Sequence, residues 1–129
     1  MKGRKIFKGK AEAEAIVSPE PISFYGGVDP ETGKVVEKGH PLENKSITDK
    51  VLVFPQGKGS TVGSYIIYSL KKNGKAPAAI INKETETIVA VGAIISEIPM
   101  VDKVDISKIK TGDKVKVNAD EGTVEVLKD

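Results

Sequence analysis

Residues 51–82 constrain the fold most, because they carry in direct succession the signals of a strand, a tight turn, a helix and a second strand. The apolar run Val51–Phe54 ends at Pro55, which cannot donate a hydrogen bond to a sheet. A glycine-rich turn, Gln56–Thr61, separates this run from helix signals over Val62–Lys72. A loop that leads straight into a helix leaves several backbone N–H groups unpaired at one spot, and this arrangement suits an anion.

The end of this helix and the strand after it are also marked in the sequence. Lys71 and Lys72 favour the negative end of a helix dipole, and Asn73-Gly74 is typical of a C-terminal cap. Pro77 prevents any continuation of the helix. The short apolar segment Ala78–Asn82 follows as a buried strand. The pattern predicts a strand–helix–strand crossover with two parallel strands.

Strand patterns dominate both ends of the chain. Apolar residues alternate in Arg4–Phe7 and Glu12–Val17, which predicts a hairpin or two consecutive strands. Lys114–Asn118 and Thr123–Leu127 also alternate, with a turn sequence between them that predicts a hairpin. We therefore expect a single α/β domain over residues 1–129, with a mixed sheet or small barrel and one or two helices against it.

Composition excludes several classes of function. Twenty basic and eighteen acidic residues give a net charge of +2, a balance that does not favour nucleic-acid binding. The chain has no cysteine, so it cannot itself hold a disulfide, a thiolate metal site or an iron–sulfur cluster. Its longest apolar run, Ile88–Ile95, is far shorter than the roughly 20 residues of a membrane helix and fits a helix or a buried strand equally well. We expect a cytoplasmic protein.

Two nucleotide-binding patterns do not fit the glycine-rich turn. The phosphate loop of nucleotide hydrolases ends in Gly-Lys-Ser or Gly-Lys-Thr, whereas here Gly59 separates Lys58 from Ser60. The dinucleotide fingerprint requires a third glycine where this chain has Val62. Neither phosphate-binding motif is therefore predicted.

Two interpretations of the turn stay open on the residues alone. In the structural interpretation, the glycines supply backbone freedom, and Ser60 or Thr61 caps the helix. In the catalytic interpretation, N–H dipoles at the helix start stabilise a developing alkoxide on a serine that takes a proton from carbon. No Ser-His-Asp triad is plausible, because the only histidine, His40, lies in a distant loop and is expected to be a surface side chain. A catalytic serine would need an electrophile from a second subunit.

Several motifs together resemble a known family. Gly57–Thr61, followed by a helix and Gly74–Ile81, is similar to the swivelling domain of aconitase-type hydro-lyases. With Ser23–Gly33 and Val51–Pro55 added, the chain most resembles the small subunit of the aconitase X family. The resemblance covers most of residues 4–127.

This resemblance implies a fold, a partner and a reaction. The fold is a swivelling β/β/α three-layer domain, and the partner is a large aconitase-like subunit that forms a heterodimer and carries a 4Fe–4S cluster through its own cysteines. In the archaeal branch the enzyme removes water from (R)-5-phosphomevalonate to give trans-anhydromevalonate 5-phosphate, in an archaeal-type mevalonate pathway. A bacterial branch dehydrates cis-3-hydroxy-L-proline and tends to carry cysteine where this chain has Thr61, so the archaeal reaction is expected. A non-catalytic anion-binding module is the remaining alternative.

The resemblance also implies roles for four residues of the turn. Ser60 would be the catalytic base, and Gly59 and Thr61 would offer N–H groups to the substrate. Lys58 would attract the anionic substrate. At one position the chain departs from aconitase, which has an arginine that contacts a substrate carboxylate where this chain has Val62. Carboxylate binding at that position is therefore not expected.

Overall fold

A mixed sheet of seven strands forms the framework of the fold, in a computed structural model that describes residues 1–127. In chain order the strands are β1 (Arg4–Phe7), β2 (Lys10–Val17), β3 (Val51–Phe54), β4 (Ala79–Asn82), β5 (Met100–Asp102), β6 (Lys114–Asn118) and β7 (Thr123–Leu127). The helices are α1 (Phe24–Gly27), α2 (Gly63–Lys72) and α3 (Thr87–Ser96), with a 3₁₀ turn at Ile106–Lys108. Across the sheet the strands follow the order β1-β5-β4-β3-β2-β6-β7.

The predicted crossover is present. Strands β3 and β4 are parallel neighbours, with Val53 opposite Ile81, and α2 connects them. The helix begins at Gly63, one residue later than predicted, and ends at Lys72 as predicted. Gly74 follows with φ of 70°. This left-handed conformation ends the helix and suits glycine, because glycine has no Cβ to clash.

The strands predicted at both ends of the chain are present, and of the two arrangements considered for the N-terminal pair, two consecutive strands is the correct one. Strands β6 and β7 form the predicted antiparallel hairpin. Strands β1 and β2 do not pair with each other, because β2 pairs on one side with β3 and on the other with β6. Strand β1 instead pairs antiparallel with β5 at the far edge of the sheet. A bridge between Lys2 and Thr123 then joins the chain before β1 to β7, so the sheet curls into a half-barrel.

The ambiguous apolar run is helical. Residues 88–95 lie in α3, whose first turn is capped by the Glu86 side chain, which accepts hydrogen bonds from the N–H groups of Ile88 at 2.6 Å and Val89 at 3.2 Å. A carboxylate satisfies N–H groups that a helix start otherwise leaves unpaired. This cap fixes where α3 begins.

The two faces of the sheet bury separate apolar clusters. On the helical side, Phe54, Ile67 and Val89 belong to a cluster in which α2 and α3 cover the sheet. On the other side, Val53 and Val115 belong to a second cluster, which the β6–β7 hairpin covers. The result is the predicted order of layers, β/β/α. No helix among residues 1–127 is long and apolar enough to cross a membrane.

The expectation for His40 is wrong. Its side chain is buried, with only 6% of the residue exposed. Nδ1 accepts a hydrogen bond from the Leu42 N–H at 3.0 Å, so Nε2–H is the donor to the Pro21 carbonyl at 3.0 Å. The contact with Pro21 joins residues 19 positions apart, and sequence alone does not reveal it. His40 therefore holds the 34–50 loop in place.

A short polar motif before β6 supplies a test by titration. Both the N–H and the hydroxyl of Ser107 donate to the Asp105 carboxylate, and these bonds hold the pKa of Asp105 below its ordinary value. A lowered pKa means that the ionised carboxylate contributes stability above the unfolded-state pKa and loses it as the pH falls through the folded-state value. We expect Ser107→Ala to raise the Asp105 pKa toward the ordinary value in an NMR titration. An unchanged Asp105 titration would contradict this origin of the shift.

Candidate active site

The glycine-rich loop between β3 and α2 is held on two sides. On one side it pairs with Ile22, whose carbonyl accepts from the Lys58 N–H at 3.1 Å and whose N–H donates to the Gln56 carbonyl at 3.3 Å. On the other side the Gly57 N–H donates to Glu86 Oε1 at 3.0 Å. A Cβ on Gly57 would lie 2.5 Å from that oxygen, so only glycine permits this approach. The loop therefore has a fixed position before any ligand binds.

Gly59 turns the loop toward α2. Its φ is 88°, and a Cβ at this position would lie 2.6 Å from Ser23 Oγ. Both the left-handed backbone and the close approach favour glycine. Within the described chain, the N–H groups of Gly59, Ser60 and Thr61 donate no hydrogen bond. Three consecutive free N–H groups can bind an anion.

The free N–H groups near Ser60 are not those of the first turn of α2. In the turn that begins α2, the Gly63 N–H donates to the Ser60 carbonyl at 2.9 Å, and the Ser64 N–H donates to the Thr61 carbonyl at 3.2 Å. These donors of the first turn are therefore already paired. The available donors belong instead to the loop residues before the helix.

Ser60 lies exposed at the tip of the loop. Its Oγ accepts a hydrogen bond from the Val62 N–H at 3.1 Å. Val62 occupies the cap position with a helical backbone, so the capping role considered for Ser60 or Thr61 is limited to this bond, which Ser60 accepts just before the helix. A donor aimed at Oγ stabilises negative charge on that oxygen. The serine hydroxyl is thus accessible and already polarised.

Lys58 is paired with an acidic side chain. Its Nζ lies 3.3 Å from Glu37 Oε2, and the two side chains are 48% and 31% exposed. An exposed pair of this kind contributes at most about 1 kcal/mol. The ammonium group can therefore exchange Glu37 for a stronger anion without a large cost.

Thr61 follows directly after Ser60 and is also exposed. Together with Val62, it lines the start of a groove of about 430 Å³ between α2 and α3. The structure thus places Lys58, Gly59, Ser60 and Thr61 on one continuous loop, as their sequence requires. It adds an apolar surface that begins beside the serine.

Three residues outside the predicted set support this loop. Glu86 caps α3 and also holds the Gly57 N–H, so one carboxylate ties the loop to a second helix. Ser23 lies against Gly59, and Glu37 pairs with Lys58. Glu86 has the clearest signal in the sequence, since it stands just before an apolar helix. A glutamate is an uncommon cap, however, and the contact to Gly57 joins residues 29 positions apart.

Metal ligands are scarce around the loop. Among residues 1–127, no three histidine, cysteine, aspartate or glutamate side chains are grouped so that they could hold a metal ion. The loop therefore offers an accessible hydroxyl, a lysine and free N–H groups. These groups can bind an anion and move a proton.

Comparisons with known proteins agree on one family. The model of the aconitase X swivel domain matches residues 1–126. The chain is 67% identical over 129 residues to the phosphomevalonate dehydratase small subunit of Thermococcus kodakarensis, with 100% of this chain and 97% of that protein covered. It is 63% identical over 131 residues to the protein of the same name from Methanosarcina acetivorans, with 99% of this chain and 91% of that protein covered.

The fold agrees as well. A crystal structure of Thermococcus kodakaraensis aconitase X in its holo form matches with a TM-score of 0.97 and 67% identity. That match covers 98% of this chain and 97% of the other. Sequence and fold thus correspond over almost the whole length. The chain belongs to the aconitase X family.

Proposed function

We propose that this chain is the small subunit of a phosphomevalonate dehydratase, a hydro-lyase that is active only as a heterodimer with a large subunit. One observation carries the catalytic part of the proposal: Ser60 presents an accessible hydroxyl beside three free N–H groups. The names of the relatives support the substrate and the subunit arrangement. Such an arrangement suits half of an active site, with a base but no electrophile.

The proposed reaction removes one water molecule from (R)-5-phosphomevalonate. Ser60 Oγ takes the proton from the carbon next to the carboxylate, and the electron pair of that C–H bond forms the new double bond. The hydroxyl group on the neighbouring carbon departs, so the proton and hydroxide together make up the water that is lost. The Val62 N–H, at 3.1 Å from Oγ, stabilises the deprotonated oxygen that must act as the base.

The partner must supply the electrophile. This chain has no cysteine, so the thiolate ligands of a 4Fe–4S cluster would have to come from the large subunit. When bound, such a cluster provides a Lewis acid for the departing hydroxyl. What the small subunit contributes is the base and the N–H groups around it.

The loop residues beside Ser60 have distinct proposed roles. The free N–H groups of Gly59 and Thr61 bind an anionic group of the substrate, and Lys58 attracts it. Substrate binding would replace Glu37 as the partner of the Lys58 ammonium group. The four proposed site residues, 58–61, lie on a loop that is anchored before the substrate binds, so binding has little conformational entropy to remove from the loop.

Reconstitution tests this function. We expect the purified chain alone to show no dehydratase activity and no iron absorbance, whereas its complex with the large subunit of the same organism dehydrates (R)-5-phosphomevalonate. The control substrate is cis-3-hydroxy-L-proline, the substrate of a different branch. Dehydration of hydroxyproline but not of phosphomevalonate would overturn the substrate assignment.

The alternative of a stand-alone anion-binding module has its own measurement. Titration calorimetry of the isolated chain with 5-phosphomevalonate should give weak heats or none, because the large subunit is expected to provide most substrate contacts. Tight binding without the large subunit, together with no activity in the complex, would favour the binding module.

A further inference from the structure

Large apolar side chains are exposed together on the outer face of α2 and α3. On α2 and its cap they are Val62, Tyr65 and Tyr68; on α3 they are Val91, Ile94 and Ile95. Each of the six is at least 39% exposed, and Tyr65 is 67% exposed. A monomeric protein rarely leaves such an apolar surface without a partner. We call these six residues the α2/α3 face.

We propose that the α2/α3 face is the docking surface for the large subunit, an inference that rests on the proposed function. The partner surface it fits is an apolar ridge that enters the groove of about 430 Å³ between the two helices. Val62 and Tyr65 line this groove on one side, and Val91 and Ile95 line it on the other. The groove thus contains four of the six residues of the face.

Close contacts between the helices make this groove rigid. Ser64 Oγ donates to the Ile88 carbonyl at 2.7 Å, which ties the start of α2 to the start of α3. A Cβ on Gly92 would lie 2.5 Å from Ile67 Cδ1, so the helices approach each other where α3 has no side chain. Because the groove is formed in advance, a partner loses little free energy in ordering it.

The position of the face identifies its partner. Thr61 and Val62, which directly follow Ser60, form the start of the groove. A subunit that brings an electrophile to the substrate at Ser60 must also cover the surface next to that serine. The α2/α3 face is continuous with the loop on this side, so the same subunit can complete the active site and bury the apolar face.

Positive charge at the C-terminal end of α2 predicts the charge of the surface that the large subunit presents there. Lys71 and Lys72 are exposed there, and Lys72 Nζ lies 5.8 Å from the centre of the Tyr68 ring. The apolar face is therefore bordered by positive charge. The large subunit is expected to present acidic residues at this border, because complementary charges at the rim speed association and fix orientation.

The test compares glutamate substitutions on and off the face. The double variant carries Val91→Glu and Ile95→Glu. Because Val91 is 39% exposed and Ile95 is 41% exposed, each glutamate can reach solvent and the isolated chain should fold normally. Val36→Glu is the matched control, because Val36 is 47% exposed but lies in the loop between α1 and β3. Tyr65→Ser tests the α2 side of the groove independently. Circular dichroism and thermal melting check the fold of each variant.

Affinity for the purified large subunit, measured by biolayer interferometry, is the deciding quantity. We expect the double variant to weaken binding by about 100-fold or more, Tyr65→Ser to weaken it in the same direction, and Val36→Glu to leave it unchanged. Wild-type affinity in both face variants would overturn the inference while leaving the proposed function intact. Failure of the wild-type chain to bind any large subunit would instead overturn the proposed function, and this inference with it.

A second copy of the chain is the competing occupant of the face. Sedimentation of the isolated wild-type chain should give a monomer, because we expect the α2/α3 face to fit the large subunit and not a second copy of the chain. A stable dimer that the double variant abolishes, and that persists when the large subunit is added, would also overturn the inference.

Discussion

Ser60→Ala in the assembled heterodimer is expected to lower kcat for dehydration about 10²- to 10⁴-fold, the usual contribution of a positioned general base. The substitution removes the only atom proposed to accept the substrate proton, and it leaves the backbone N–H groups of the loop in place. Substrate affinity should therefore change much less than kcat. Steady-state kinetics with (R)-5-phosphomevalonate measures both quantities.

The matched control for this variant is Ser69→Ala. Ser69 lies in the C-terminal half of α2, away from the loop that carries Ser60. It loses the same hydroxyl group, and we expect its complex to turn over at the wild-type rate. Near-normal kcat in the Ser60→Ala complex would refute the assignment of Ser60 as the base.

Asp102→Ala is expected to cause the largest loss of stability among single side-chain truncations outside the apolar core. The Asp102 carboxylate is fully buried and accepts from Arg4 at 2.9 and 2.7 Å and from the Thr85 N–H at 2.9 Å. Hydrogen bonds to a buried charge contribute more than neutral ones, so their loss should cost about 2–4 kcal/mol in the free energy of unfolding. Urea denaturation of the isolated chain measures this change.

An exposed ion pair supplies the comparison for Asp102. Glu12 lies 4.0 Å from Lys114, with side chains 48% and 59% exposed. We expect Glu12→Ala to change the free energy of unfolding by less than about 1 kcal/mol. Equal effects of the two substitutions would show that the carboxylate at the β1–β5 edge does not hold that edge together.

Local signals in the sequence predicted the centre of the fold. The cap at Asn73-Gly74 and the proline at 77 act within a few residues, so the end of α2 and the start of β4 could be predicted closely. The β6–β7 hairpin was equally accessible, because its strands are adjacent in sequence. Each of these features depends on short-range conformational preferences.

Long-range pairing was the part that sequence did not reveal. Strand β1 could pair with β2 or with any other edge, and it is joined to β5 through contacts such as Arg4 to Asp102, 98 residues apart. His40 is buried where the sequence predicts exposure for a similar reason, since its imidazole bonds to the carbonyl of Pro21, 19 residues away. Alternation identifies strands, but it does not specify their neighbours.

The candidate site shows the same division. Its glycines and its position before a helix predict the loop, and the resemblance names the N–H groups of Gly59 and Thr61; the structure adds the N–H of Ser60. The first-turn donors are used by carbonyls of the loop, which depends on the backbone path through Gly59. The anchor at Glu86 joins Gly57 to a residue 29 positions away, so short-range preferences do not reveal it.

Competition between two forms of this chain tests the central claim most directly. A fixed amount of large subunit is incubated with wild-type chain and increasing amounts of the Ser60→Ala chain, and dehydration of (R)-5-phosphomevalonate is followed. If Ser60 completes an active site shared by two subunits, activity should fall in proportion to the fraction of Ser60→Ala chain. Constant activity while Ser60→Ala occupies the large subunit, or full activity with Ser60→Ala alone, would contradict this claim.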